Sequence, residues 1–590
     1  MTSTMALASH LLAVAAVAAV STFTFAVGSR ATPETLYNGI VLPTPWPPAD
    51  IALTHRTVEP WYLRGDGHPS AVIVDVGRQL FVDSFLLEPT LTNATVTFHA
   101  PRLEQAPGAR VGGGGLWFDS TARVFKSFFE CSSAAIDGDG ALGPVCLATS
   151  DDGVQWQAQP ARMVLNSSAF SRAVLLDELA APGQRWKMAQ VELGPSKTTS
   201  DLRYQLYASG DGLTWSRQTS DLSRPGIGSP GDCSSAFCNP FRNVTVLSSK
   251  ATDVTLGRHR EYAESGVFFE EAFGAAPLVP WAAADARDPR WLGDPFSGHV
   301  NHTTEDFPEL YNLDAVAYES IMLGQFRIFR CKEHYQGCAV MYNSTACALH
   351  PKNKGCTALS HELADILLGF SRDGFSWSRT PIAQPVPAEG FELTADRRFP
   401  FVGQELGGRG WNSQGIGSVV GGLAIVGKDR QHESLRLFYT SGSSGVGILR
   451  RDGFASVGSL TPDRGAVLVT VPLIFQTQKE RLFLNLIGGL RALAIVEPGG
   501  GAHSQGGPPL LSAEPLPRST NSTMVELAMK AGAVSGIAAL RGKPFRISFE
   551  LEPGAQLYSF WLSAAAGGQS GGWLGSGGAG YPNGLRDLEG

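Results

Sequence analysis

The chain is poor in charge. Only 17 % of its 590 residues are Asp, Glu, Lys or Arg, against roughly 25 % in ordinary soluble domains. Its 47 basic and 54 acidic residues leave a formal charge of −7, and no block of Lys and Arg stands out. Those shortages exclude a highly charged disordered chain and an electrostatic nucleic-acid binder. Other signals are missing too. There is no Cys-x-x-Cys pair, no His-Glu-x-x-His zinc motif and no strand–turn–helix nucleophile elbow. Gly112–Gly115 is a glycine run before a strand, not a phosphate loop opening a helix, so no nucleotide cofactor is indicated. Beyond the N-terminus no apolar stretch is long enough to cross a bilayer. What the chain has instead is turn chemistry, with 68 Gly and 37 Pro and no Gly-X-Y period. In an apolar chain this predicts many short strands, and two domains rather than the roughly four that length alone indicates.

The apolar run Leu11–Gly28 reads as a secretory signal, with Ala26 and Gly28 placed for cleavage. Its first residues lack Lys and Arg, so an uncleaved membrane anchor stays open as the alternative. Six N-x-S/T sequons, at Asn93, Asn166, Asn243, Asn301, Asn343 and Asn521, suit a glycosylated extracellular chain. In an oxidising compartment the eight cysteines predict disulfides. Cys131–Cys146 and Cys233–Cys238 are local pairs. Cys331, Cys338, Cys347 and Cys356 fall in one segment with His334 and His350. Their spacings fit no usual zinc pattern, which favours a disulfide-stapled loop over a zinc cluster.

A repeat organises the middle of the chain. Ser150–Trp156, Ser209–Trp215 and Ser371–Trp377 all read S-x-D-G-x-x-W, each after a short apolar run. A strand enters a tight Asp-Gly turn, and a second strand starts at the Trp, which is expected to pack over the hairpin. This is the Asp box known from sialidases and other β-propellers. A degenerate copy, Arg451–Phe454, lacks the Trp. Five antiparallel units follow one another between Gly115 and Arg450, and radial repetition of small sheets predicts a five-bladed β-propeller. Gln79–Glu88 is the strand-like stretch expected to complete the ring. Residues 29–75 read as a Pro-rich entry segment, 76–455 as the propeller with a cysteine-rich insertion at 331–356, 456–563 as a small β-sandwich, and 564–590 as a Gly-rich disordered tail.

Several segments carry a family resemblance. They are Leu80–Leu86, Ala148–Gly153, Gly231-Asp232 with Asn239–Arg242, Tyr311–Ser320, Gly369–Gly374 and Leu449–Ser456. Over residues 75–563 the chain resembles uncharacterised bacterial-type members of the five-bladed glycoside hydrolase superfamily of invertases, levansucrases and arabinanases. The resemblance implies carbohydrate chemistry. The pattern also departs from the known enzymes. No Asn-Asp-Pro motif occurs at Asp83. Arg287-Asp288-Pro289 matches their Arg-Asp-Pro triplet but sits in a charged stretch without a strand signal. Glu130-Cys131 mimics their acid motif far too early in the chain.

A glycosidase needs two carboxyl groups flanking the bond, about 5–5.5 Å apart for retention and about 6.5–9.5 Å for inversion. Inner propeller strands point side chains into the axial funnel, which makes Asp83, Asp119, Asp232, Asp314 and Glu319 the candidates. Glu319, alone in an apolar strand, is expected to carry a raised pKa, as a general acid needs. The alternative is a buried carboxylate paired with Arg242 or Arg327. Asp83, Asp232 and Glu319 are the expected catalytic set, converging at one end of the axis. Arg242, Asp314, Trp117, Trp411 and Asn412, with His99, are candidates for a sugar pocket. No metal is called for, and nothing supports calcium in the axial channel. The expected partner is a carbohydrate. A sialidase is a weaker enzyme reading, because Phe326–Phe329 brings its arginine too late in the chain. A non-catalytic glycan-binding propeller is the other alternative.

Overall fold

The computed structural model describes residues 33–589, except 49–50, 107–111, 132–142, 157–161, 254–255, 275–277, 290–307, 330–363, 380–397, 399, 405–411, 413–414, 442, 460, 462, 500–507 and 531. The signal-like run, Trp411, Asn301, Asn343 and the four cysteines of 331–356 lie outside the described residues.

Five small sheets surround one axis. Their innermost strands are Gly115–Asp119, Ser171–Leu176, Ser235–Asn239, Glu309–Glu319 and Gly417–Gly427, which define blades 1 to 5. Each inner strand packs beside the next, and the fifth returns to the first through a parallel bridge between Gly421 and Leu116. The protein is all-β: a five-bladed β-propeller followed by a β-sandwich. The inner strands read as near-continuous apolar runs because neighbouring blades cover both of their faces; every residue of Glu309–Glu319 is buried. Contact between blades is tight enough to demand glycine at Gly115. Its φ is +145°, and a Cβ there would stand 2.5 Å from the Val174 carbonyl oxygen.

The three S-x-D-G-x-x-W turns share one bonding pattern. In the first, Asp152 Oδ1 accepts from the backbone N–H groups of Val154 and Gln155 at 2.7 Å each, while Ser150 Oγ accepts from Gly153. Asp211 with Ser209, and Asp373 with Ser371, repeat it. The glycines sit at φ of 70°, 74° and 80°, where a side chain would be strained. The tryptophans go further than their own hairpins. Trp156 meets Phe438 of blade 5, Trp215 meets Phe128 of blade 1, and Trp377 meets Trp281 of blade 3. Each is a wedge against the preceding blade.

The ring closes differently from the expectation. Arg102–Gln105 pairs with Ser443–Arg450 as the outer strand of blade 5. It is largely exposed, so it carries no apolar pattern to announce it. Gln79–Leu80 instead joins Gln556–Ser563 in the sandwich, and Ser84–Leu86 is a 3-10 turn. One sandwich sheet has the order Thr95–Phe98, Ala455–Gly458, Gln556–Ser563, Arg481–Ile487, Asn521–Glu526. The other runs Ala466–Val469, Arg546–Leu551, Leu490–Val496, Leu511–Ala513, Met529–Lys530. The stretch 76–98, expected in the propeller, thus belongs to the sandwich.

The tail is ordered rather than disordered. Trp573–Leu574 pairs with Tyr318 and Glu319 on the axial side of blade 4. Ser576 bonds Phe118 of blade 1 and Leu423 of blade 5, and Leu585 N donates to Glu178 in the loop that follows the blade 2 inner strand. Leu574, Tyr581 and Leu585 are buried. This segment fills the end of the axis where the inner strands finish, called here the lower end. The entry segment packs there as well, with Leu36, Ile40 and Leu42 buried and Tyr37 stacked on Phe241 at 4.1 Å.

Candidate functional site

The three expected catalytic carboxylates do not converge. Asp83 is held by Arg372, whose Nε and Nη2 reach it at 2.8–3.2 Å, and it caps the Phe85 N–H. Arg372 is the second residue of the blade 4 turn, so this pair joins propeller to sandwich. Glu319 is fully buried at the lower end. One oxygen meets Arg451 and lies 3.5 Å from Arg78 Nε; the other accepts from Arg78 N at 3.0 Å and Ser570 Oγ at 2.7 Å. Burial raises its pKa against the pull of the two arginines. The rise was foreseen, but the partners are Arg78 and Arg451, neither of them Arg242 nor Arg327. Asp452 completes the network, accepting from Arg78, Tyr318 OH and Ser559 Oγ. Asp232 lies at the upper end, bound to Lys250 and to Tyr311 OH at 3.1 Å. Tyr311 and Glu319 are eight residues apart on one extended strand, or roughly 26 Å. Asp232 and Glu319 therefore cannot flank one glycosidic bond, and Asp83 is committed to Arg372.

Most of the sugar-pocket candidates are structural. Arg242 bonds Glu34 and Glu264 and lies over Trp46, pinning the entry segment. Trp117 is buried and donates its indole N–H to the Val174 carbonyl at 2.7 Å. Asp119 binds Lys126 at 2.7 Å at the lower end of blade 1. His99 bonds Ser456 in the sandwich, and burial lowers its pKa. Asn412 donates to the Gly403 carbonyl. Asp288 belongs to a buried cluster in which Arg379 and Arg398 bind both Asp285 and Asp288.

Asp314 is the exception, because it occupies the ring itself. Its Oδ1 takes the hydroxyl of Ser235 from blade 3; its Oδ2 takes that of Ser418 from blade 5 and the Asn312 amide at 2.9 Å. Burial raises its pKa, while the two hydroxyls and Arg260 oppose the rise. Asn312 Oδ1, and Ser171 Oγ on blade 2, are buried with no hydrogen-bond partner among the described residues. The upper half of the ring therefore carries hydroxyl, amide and carboxylate groups from blades 3, 4 and 5 around Asp314, with Ser171 at the start of the blade 2 inner strand. Sequence reasoning named Asp314 but missed Asn312, Ser171, Ser235 and Ser418. The available signal was their common place at or near the start of each inner strand.

Cys131 and Cys146 form a disulfide with Cα atoms 4.9 Å apart. Cys233 and Cys238 do not bond each other. Cys238 sits four residues into the extended strand Ser235–Asn239, which carries it away from Cys233, beyond the roughly 7 Å that a disulfide spans. The Cys238 thiol is buried, which pushes its pKa up to about 12. Among the described residues no group of His, Cys, Asp and Glu is arranged to hold a metal, and no helix is long and apolar enough to cross a membrane.

No protein-family model and no curated protein sequence matches the chain. Among solved structures it aligns with a fructofuranosidase from Schwanniomyces occidentalis complexed with fructose, at 11% identity over 78% of this chain and 97% of that one, with a TM-score of 0.32. It aligns with an exo-β-1,3-galactanase from Phanerochaete chrysosporium at 10% identity over 80% and 100%, TM-score 0.28. An arabinoxylan arabinofuranohydrolase of glycoside hydrolase family 43 from Bacillus subtilis aligns at 10% identity over 78% and 83%, TM-score 0.26.

Proposed function

We propose that the chain is a carbohydrate-binding propeller that takes its saccharide at the upper end of the ring and does not hydrolyse it through Asp83, Asp232 and Glu319. The observation that carries this reading is the polar lining around Asp314. Hydroxyls, an amide and one carboxylate can donate to and accept from sugar hydroxyls. Ser171 Oγ and Asn312 Oδ1, without a partner among the described residues, call for a water or a ligand hydroxyl. The lower end is unsuited to a ligand, since the tail and the Glu319 network fill it. The segment resemblances point to the same ligand class.

A hydrolase remains the second reading, favoured by one observation: burial raises Asp314 in the direction a general acid needs. One experiment separates the two. The full chain and Asp314→Asn are screened against a glycan array and, in parallel, for release of reducing ends. Binding that weakens in the variant without turnover in either protein is the expected result. Turnover lost in Asp314→Asn establishes the hydrolase, and no binding to any saccharide refutes both readings.

Export to the extracellular space belongs to the same proposal. The sequon asparagines within the described residues, Asn93, Asn166, Asn243 and Asn521, are all exposed, as glycosylation requires. The Cys131–Cys146 bond suits an oxidising compartment.

A further inference from the structure

Arg172 is the second residue of the blade 2 inner strand and is only 5 % exposed. A guanidinium buried that deeply is ordinarily matched by a carboxylate. The buried arginines at the lower end follow the rule: Arg78 and Arg451 pair with Glu319 and Asp452, and Arg372 pairs with Asp83. Arg172 does not. Its Nε donates to Gln190 Oε1 at 2.7 Å and its Nη2 to the Gly143 carbonyl at 3.1 Å. Both acceptors are neutral, and Nη1 makes no hydrogen bond to any described residue.

The nearest carboxylates are engaged elsewhere. Glu130 accepts from the Gly143 N–H at 2.8 Å, and Glu192 accepts from Tyr207 OH at 3.1 Å and Gln190 Nε2 at 3.3 Å. They act on Arg172 only through space. Burial outweighs them and pushes the guanidinium down to about 10. Arg260, also at the upper end, makes the contrast. It is fully buried without a contacting carboxylate, but each of its nitrogens is committed. Nε and Nη2 bond Ser248, and Nη1 bonds the carbonyls of Cys233 and Tyr311, with the charge of Asp314 nearby. Arg172 thus carries a positive charge and a guanidinium arm that no described group uses. Gln190, itself fully buried and bonded to Ser167, fixes the orientation of that arm.

We propose that Arg172 is the anchor for an acidic group, a carboxylate or a sulfate, on the saccharide bound at the upper end of the ring. The inference rests on the glycan-binding reading and narrows it to acidic glycans. The paired anionic oxygens of a carboxylate or a sulfate suit the guanidinium N–H groups, and hydrogen bonds to charged groups are the strong ones.

Titration calorimetry of the full chain tests it with two matched pairs of probes. One pair is tetragalacturonate and its methyl ester; the other is a carrageenan tetrasaccharide and its desulfated form. At least one acidic member is expected to bind roughly tenfold or more tighter than its neutral partner, and the pair that discriminates identifies the acid as carboxylate or sulfate. Arg172→Gln is expected to bring that ratio close to one, and Arg172→Lys to keep part of it. Gln190→Glu, which sets a carboxylate against the guanidinium, is expected to lower the ratio too and serves if Arg172→Gln does not fold. Equal binding of acidic and neutral partners overturns the proposal and leaves the glycan-binding reading standing. A ratio that survives Arg172→Gln or Gln190→Glu also overturns it. Absence of binding to all four probes and to the glycan array removes both.

Discussion

Glu319→Gln distinguishes a structural carboxylate from a catalytic one. Glu319 is the hub of the lower-end network, receiving Arg451, Arg78 and Ser570. The amide keeps the shape but removes the charge, and it turns an N–H donor toward groups that are themselves donors. Arg78 and Arg451 are then left with Asp452 and with Glu433, which lies at 4.0 and 3.4 Å. Breaking a buried ion pair by removing one partner costs about 3–5 kcal/mol. Because burial already raises the Glu319 pKa, the lower limit, about 3 kcal/mol, is expected. An exposed pair provides the scale: Arg481–Glu526 has side chains 37% and 40% exposed, so Glu526→Gln should cost no more than about 1 kcal/mol. The assay is urea unfolding followed by tryptophan fluorescence, with saccharide binding measured on the folded protein at 25 °C. A Glu319→Gln protein as stable as the parent to within about 0.5 kcal/mol, yet without saccharide turnover that the parent shows, would refute the structural assignment and return Glu319 to catalysis.

Two further outcomes follow from the buried charges and the tail. Burial works to raise Asp285, but Arg379 and Arg398 outweigh it and hold the carboxyl down at about 2, below the roughly 3.9 of an unfolded chain. A depressed carboxylate stabilises the fold above its unfolded pKa, and that contribution is lost as pH falls from about 4 toward about 2. Asp285→Asn should therefore flatten the acid limb of a stability-versus-pH curve in that window while lowering stability at pH 7; an unchanged limb would contradict the ion-pair account. Ending the chain at Ala564 removes Leu574, Tyr581 and Leu585 from the lower end, each buried. At about 1.5–3 kcal/mol per large apolar side chain, the loss should be at least about 4 kcal/mol, seen as a lower melting temperature and faster proteolysis of the propeller. A truncated chain that melts within about 1 °C of the full one would show that the tail merely rests on the surface.

Much of the architecture was legible because it is local. The S-x-D-G-x-x-W turns bond to their own backbone, so Asp152, Asp211 and Asp373 announce hairpins wherever they occur, and the spacing of apolar runs counts the blades. The strands that the sequence pattern leaves unrecognised or places in the wrong domain are those whose partners are remote in sequence. Arg102–Gln105 is a polar edge strand recruited by a blade more than 300 residues later. Gln79–Leu80 reads equally well as a propeller or a sandwich strand, and only its pairing with Gln556–Ser563 decides between them. The tail misled for a related reason. Its glycines read as disorder, yet Gly572 and Gly575 are small because backbone and side chains of the lower end pass close to them; a Cβ on Gly575 would stand 2.6 Å from Leu423.

The candidate site divides along the same line. The sequence by itself determined which acids exist, that Glu319 lies in an apolar strand and that its pKa should rise with burial. It could not say whether such a carboxylate faces a ligand or an arginine, because that depends on which residues far along the chain arrive beside it. Tertiary structure brought Arg78 and Arg451 to Glu319 and Arg372 to Asp83, and closed both into ion pairs. It also left Arg172 beside a glutamine and a carbonyl. Local turn chemistry and apolar periodicity are properties of a few adjacent residues and survive in the one-dimensional record. Charge compensation is set by distance in three dimensions, and only the folded chain supplies it.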